Sequence, residues 1–255
     1  MNASGVRLAD VCVAAIADCF RGDGEIVANP IGTIPMIGGR LARATFEPDL
    51  MMTDGEAFLV ADDRAFFGPN DARTVEYHNP YRSMFEIVWS GRRHVIMGAS
   101  QIDPFGNQNF AAIGADYRRP KVQLLGFRGA PGNTVNHVTS YWIPNHSTNV
   151  FVPKVDVVCG VGYDRAAQLG NSALGYELRR VVTNLCVLDF ESPEHRMRLR
   201  SLHPGVTLDE VVAATGFELV IPDHVDETRV PSDDELRLVQ DVVDLDGARY
   251  TEVKD

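Results

Sequence analysis

The sequence predicts an α/β fold, and three observations carry the prediction. Near the N-terminus apolar residues recur at three- and four-residue steps. A short strand, a polar loop and a second helical stretch follow. The pattern of an apolar run ending in a Gly-, Asn- or Asp-bearing turn then returns along the chain. With 255 residues, 45% of them hydrophobic, the chain can build a full core. No internal repeat, low-complexity tract or Ser/Pro/Gly-rich linker divides it, so a single domain over residues 1–255 is expected.

Taken in order, Leu8, Val11, Cys12, Ala15, Ile16, Cys19 and Phe20 lie on one helical face, predicting an amphipathic helix over residues 6–20 that stops at Gly22. Ile26-Val27 reads as a strand, Asn29 to Pro35 as a loop, and residues 36–44 as a helix. Leu50-Met51-Met52 predicts a second buried strand running into the turn Thr53-Asp54-Gly55-Glu56. Open α/β sheets place ligands at such carboxyl-terminal strand ends. The same strand-then-turn reading applies to Val95-Ile96-Met97 with the polar loop after it, and to residues 122–127 with Arg128 to Asn133. Residues 150–152, 155–158, 180–183 and 186–190 are β-rich. Thr207-Leu208-Asp209-Glu210 and Ser232-Asp233-Asp234-Glu235 are capping boxes opening helices over residues 208–215 and 233–243, and the last ten residues are expected to fray.

Composition excludes several function classes. A net charge of −11, from 35 acidic and 24 basic residues with no basic run, opposes binding to nucleic acid. No apolar window is long enough to span a membrane, and the N-terminus lacks a signal-peptide pattern, so a cytoplasmic, membrane-free location is expected. Cys12, Cys19, Cys159 and Cys186 stand singly in apolar surroundings and read as small buried hydrophobes, so no metal is expected. The dinucleotide fingerprint, P-loop, zinc-protease and nucleophile-elbow motifs are absent.

Chemistry-bearing residues fall on two loops. Asp54 and Glu56 are carboxylates placed to act as a general base or to hold a water, although Asp-Gly is also ordinary turn chemistry. Gly129 and Gly132 would expose backbone N–H groups suited to a thioester oxyanion or a phosphate, or would simply relieve a tight turn. Asn133, Asn136 and His137 could orient a carbonyl or a water, and are equally able to satisfy loop backbone.

Several segments together resemble the beta subunits of class I CoA-transferases of the glutaconate type. They are Gly32-Thr33-Ile34-Pro35 with Leu41-Ala42, the run from Gly98 to Asn109, Gly129 to Asn133, Val181 to Leu185, Leu202 to Thr207, and Ala214 to Phe217. The resemblance implies an open, mostly parallel sheet flanked by helices. It also implies an alpha-subunit partner in an alpha2-beta2 heterotetramer, a substrate-binding role for Gly32, and no cofactor beyond the coenzyme A carried by the substrate. In the transferases a Glu in a short S-E-N-G or E-S-G type motif attacks the thioester. Aligning the motif glycine with Gly55 puts Thr53 at the position of that Glu. A hydroxyl cannot form the acyl anhydride through which CoA is exchanged.

That departure, with Thr53 to Ala57, Arg128 to His137 and Thr139 to Trp142, is similar to the beta subunits of the steroid ring-opening CoA-ester hydrolases of cholesterol-degrading bacteria. The resemblance then implies hydrolytic C–C cleavage of the last steroid ring, carried as a cyclic diketone on a CoA thioester. The main acid–base carboxylate would lie on the alpha subunit, with Thr53, Asp54 and Glu56 lining the site. The alternative is a working glutaconate-type CoA-transferase with Asp54 or Glu56 as nucleophile. An effector-sensing module is disfavoured because no helix-turn-helix is visible. Ala65-Phe66-Phe67 and Tyr141-Trp142-Ile143 read as apolar loops, expected either to meet a partner or to form local core.

Overall fold

The computed structural model describes residues 5–54, 58–65 and 73–253. These divide into two compact units, the first formed by the chain up to Met97 and again from Thr228, the second by Gly98–Glu227.

The first unit begins with α1 (Leu8–Cys19), β1 (Val27–Pro30), α2 (Thr33–Thr45), β2 (Met51–Met52), β3 (Phe58–Val60), β4 (Val75–His78), α3 (Tyr81–Ser90) and β5 (Arg93–Met97). Strand β1 pairs in parallel with β2 on one side and β5 on the other, so all three end at the same edge. Helices α1 and α2 cover one face. At Gly38 an added Cβ would sit 2.5 Å from Cγ2 of Ile16, so a glycine is what lets the two helices approach. One residue on, Gly39 brings α2 against Pro30 and Met52 of the sheet. Helix α2 starts earlier than its apolar pattern suggested, because Gly32, at φ 118°, turns the chain directly into it.

The second unit carries the hairpin β6 (Gln101–Ile102) and β7 (Gln108–Asn109), then β8 (Ala112–Ile113), β9 (Val122–Gln123), α4 (Ala130–Asn136), β10 (Val138–Ile143), α5 (Tyr163–Ala166), β11 (Glu177–Thr183), β12 (Cys186–Asp189), β13 (Arg198–Leu202), α6 (Leu208–Ala214) and β14 (Asp226–Glu227). Strands β10 and β11 pair in parallel, β11 to β13 form an antiparallel run, and β14 adds in parallel. Among the ladders of β1, β2, β5 and of β10 to β14, parallel ones outnumber antiparallel ones, as the resemblance implied. The chain then returns to the first unit with α7 (Asp233–Leu238), continued as a π-helical turn over Val239–Val243, and α8 (Arg249–Glu252).

Four expectations are corrected. The run 122–127 is no buried strand: only Val122–Gln123 pairs, and both residues are exposed. Residues 150–152 and 155–158 form no strand beyond an isolated bridge from Phe151 to Ile102. Phe151 is buried instead by stacking on His146 at 3.8 Å, an apolar pattern produced by packing rather than by a ladder. Tyr141-Trp142-Ile143 is no loop but the buried end of β10. The C-terminal stretch does not fray as far as Val253. Arg249 donates to Asp10 of α1 and to Asp244, each at 2.7 Å, and locks α8 in place. The four cysteines are buried, as their surroundings indicated. Ala65 is buried, while Phe66 and Phe67 lie outside the described residues.

Candidate active site

In the first unit the common edge of β2, β1 and β5 brings Gly32 and the Thr53–Asp54 corner to the ends of neighbouring strands. Thr53 continues β2 by donating its N–H to the carbonyl of Ala28 at 3.2 Å, and bridges to Leu59, which buries it. A parallel strand thus carries Thr53, a hydroxyl rather than a carboxylate, to this strand end.

Asp54 is employed as a brace. One carboxylate oxygen accepts from the N–H of Phe58 at 3.2 Å, and its own N–H donates to the Phe58 carbonyl at 3.0 Å. The other oxygen accepts from Arg73 at 2.7 Å, and the side chain is 1% exposed. A carboxylate held this way has both oxygens engaged and is buried from solvent. Glu56 and Gly55 lie outside the described residues.

Gly32 is the N-cap of α2, the place where a helix offers unpaired N–H groups to an anion. That offer is already taken up within the chain. The N–H of Ile34 donates to the Glu252 carboxylate at 2.9 Å. Two residues that sequence reasoning passed over sit beside this corner. Asn29 of β1 accepts through its side-chain oxygen from the Arg93 guanidinium, and both are buried. Burial pulls the Arg93 pKa down to about 10, so it stays protonated at neutral pH. The only sequence signal was a polar residue and a cation inside otherwise apolar strands.

In the second unit the segment expected to be a glycine-rich anion loop is α4, with Gly129 as N-cap and Gly132 and Asn133 inside the helix. The N–H of Asn133 returns to the Gly129 carbonyl at 2.9 Å, and Asn136 donates its amide to the Gly132 carbonyl at 2.7 Å. His137 is buried, and its Nδ1 donates to the Val138 carbonyl at 3.0 Å, which fixes the tautomer. Pro131 at the start of the helix set φ for helical backbone, which the glycine count concealed. The Gly98–Asn109 motif proves to be interior scaffolding. Asp103 accepts from the Asn107 side chain at 3.0 Å and from its N–H at 3.0 Å, and burial pushes its pKa up to about 6. Gln101 accepts from Asn109 at 2.7 Å, and Gln108 donates to the Gly98 carbonyl at 2.8 Å. Gly106, at φ 83°, leaves room for Leu178 and Phe190, since a Cβ there would lie 2.5 Å from Leu178.

Among the described residues no group of three or more His, Cys, Asp or Glu side chains could hold a metal ion, and no helix is long and apolar enough to cross a membrane.

The sequence profile of the coenzyme A transferase family matches residues 72–214. The chain belongs to this family. Among its relatives is the cholesterol ring-cleaving hydrolase IpdB subunit of Rhodococcus jostii (strain RHA1), 49% identical over 97% of this chain and 96% of the relative. The protein of the same name from Mycobacterium tuberculosis (strain H37Rv) is 47% identical over 96% of this chain and 98% of its own length. Among solved structures, Rhodococcus jostii RHA1 IpdAB superposes with a TM-score of 0.93 at 48% identity, covering 98% of this chain and all of that one.

Proposed function

We propose that this chain is the beta subunit of a heteromeric hydrolase that opens the last steroid ring of a cyclic diketone CoA thioester in cholesterol catabolism, working with an alpha subunit in an alpha2-beta2 assembly. The observation that carries this reading is end-to-end identity near one half with subunits named for cholesterol ring cleavage. The Thr53–Asp54 corner supports it, since neither described side chain there offers a free carboxylate for acyl capture.

The chemistry asks for little from this chain. Water adds to one ring carbonyl, forming a C–O bond. The adjacent C–C bond then breaks, its electron pair becomes an enolate, and a proton returned to that carbon completes the ring-opened carboxylic acid. The steps need a base, supplied by the alpha subunit, and hydrogen-bond donors. On this reading Thr53 acts as such a donor and Gly32 lets substrate approach closely. No cofactor is required besides the CoA carried by the substrate.

The test is to give the purified alpha–beta complex the cyclic CoA thioester and follow the ring-opened acid by mass. An intact thioester would count against the reading. Hydroxylamine trapping of an acyl-enzyme on this chain, mapped to Glu56, would favour a glutaconate-type transferase instead.

A further inference from the structure

We infer that the outer face of α3, with the adjoining strand β4, is the surface on which the alpha subunit docks. The inference rests on the proposed two-chain hydrolase for the identity of the partner.

Helix α3 differs from the other long helices of its unit in having no buried residue. Its inner side carries the half-buried Met84, Ile87 and Val88. Its outer side should by ordinary patterning be polar. Instead Tyr81, Phe85 and Trp89 recur every fourth residue, which lines them along one stripe. They are 72%, 65% and 73% exposed. All four residues of β4 are exposed as well, and they add Val75 and Tyr77. Three aromatic side chains this exposed present on the order of 400 Å² of apolar surface. That equals the largest patch of an ordinary monomer, and suits the centre of an interface of about 800 Å² per partner. Aromatic residues are also the type that such centres favour.

The location selects the occupant. Strand β4 pairs with β3, β3 bridges to Thr53 through Leu59, and Arg73, just before β4, holds Asp54. Whatever covers this hairpin and helix therefore stands next to the Thr53–Asp54 corner. The proposed reaction takes its main acid–base carboxylate from the alpha subunit, so that chain has to approach this corner from a neighbouring face. A lipid surface is a poorer fit. The chain carries a net charge of −11, and the stripe's one cation, Arg82, faces Glu86 at 3.5 Å. The exposed Tyr117, Val122, Leu125 and Phe127 belong to the other unit.

The experiment uses the full chain co-produced with its alpha subunit. Association is followed by mass photometry over a dilution series, without substrate. The double variant Phe85→Asp/Trp89→Asp should weaken association at least 100-fold, whereas Leu125→Asp should leave it within about threefold. A photo-crosslinking residue at position 81 should yield an adduct with the alpha subunit, a readout that does not depend on the double variant folding. Wild-type association by the double variant, loss of association only in Leu125→Asp, or an adduct joining two copies of this chain would each overturn the inference. A complex that assembles through this face yet leaves the thioester intact would refute the hydrolase and keep the docking surface.

Discussion

The two compact units differ in what surrounds several of their buried titratable side chains. In the first, Arg249 lies between Asp10 and Asp244, and His94 meets Asp23 at 2.7 Å with both side chains inaccessible. In the second, burial shifts several groups toward their neutral forms. His146 lies between the hydroxyls of Thr183 at 3.1 Å and Thr215 at 3.0 Å, and burial pulls its pKa down to about 3. His203, bonded to the Thr183 carbonyl at 2.9 Å, is pulled down to about 4 by burial, and Asp103 is pushed up to about 6. Asp189 is the exception in that unit. Burial pushes its pKa up, but the paired Arg198 at 2.8 Å outweighs burial and holds it below the usual range. Paired charges fail when a partner is removed. Discharged groups make stability follow pH.

The largest effect should come from Arg249→Met, which strands Asp10 and Asp244 as buried anions. Urea denaturation should show a loss of about 3–5 kcal/mol. A loss below about 1 kcal/mol would break the contrast.

Next is acid sensitivity in the second unit. With its folded pKa near 3 and an unfolded value of about 6.5, His146 contributes stability that is complete above about pH 6.5 and is lost as pH falls toward 3. Melting curves from pH 7 to pH 4 should register a loss of at most about 4 kcal/mol from this group, and His146→Gln should flatten that slope.

Asp103 should act with the opposite sign. Its folded pKa of about 6 exceeds the unfolded value of about 3.9, so the folded state holds the extra proton between those limits. Its contribution is therefore present at low pH and lost as pH rises from about 4 to 6, by about 2 kcal/mol. In Asp103→Asn this opposing component should disappear, leaving a steeper acid loss than the parent shows.

Gly38→Ala gives the smallest expected change and sharpens the comparison as an uncharged control. Contact with Ile16 should outweigh the better helix propensity of alanine for a net loss of about 1 kcal/mol, equal at pH 4 and pH 7.

The legibility of the sequence followed the range of the forces involved. Helix α1, both capping boxes and the strands β2 and β5 could be read because their signals, apolar periodicity and local side-chain caps, act within a few residues. The absence of a motif glutamate at Thr53 was legible for the same reason: it is a matter of residue identity in a short turn. The misreadings needed long-range information. Arg249 reaches across the chain to Asp10, which no local window contains, so the C-terminal stretch looked frayed.

By itself the sequence determined the α/β class and the family resemblance, because composition and the order and spacing of short motifs are sufficient for each. Only the tertiary structure decided that Asp54 is consumed by Arg73 and Phe58, that Glu252 occupies the start of α2, that Gly129 to Asn136 is helical, and that the aromatic stripe of α3 faces outward. A carboxylate's freedom to react and an aromatic ring's exposure depend on what residues far away in the chain place against them, and packing alone supplies that.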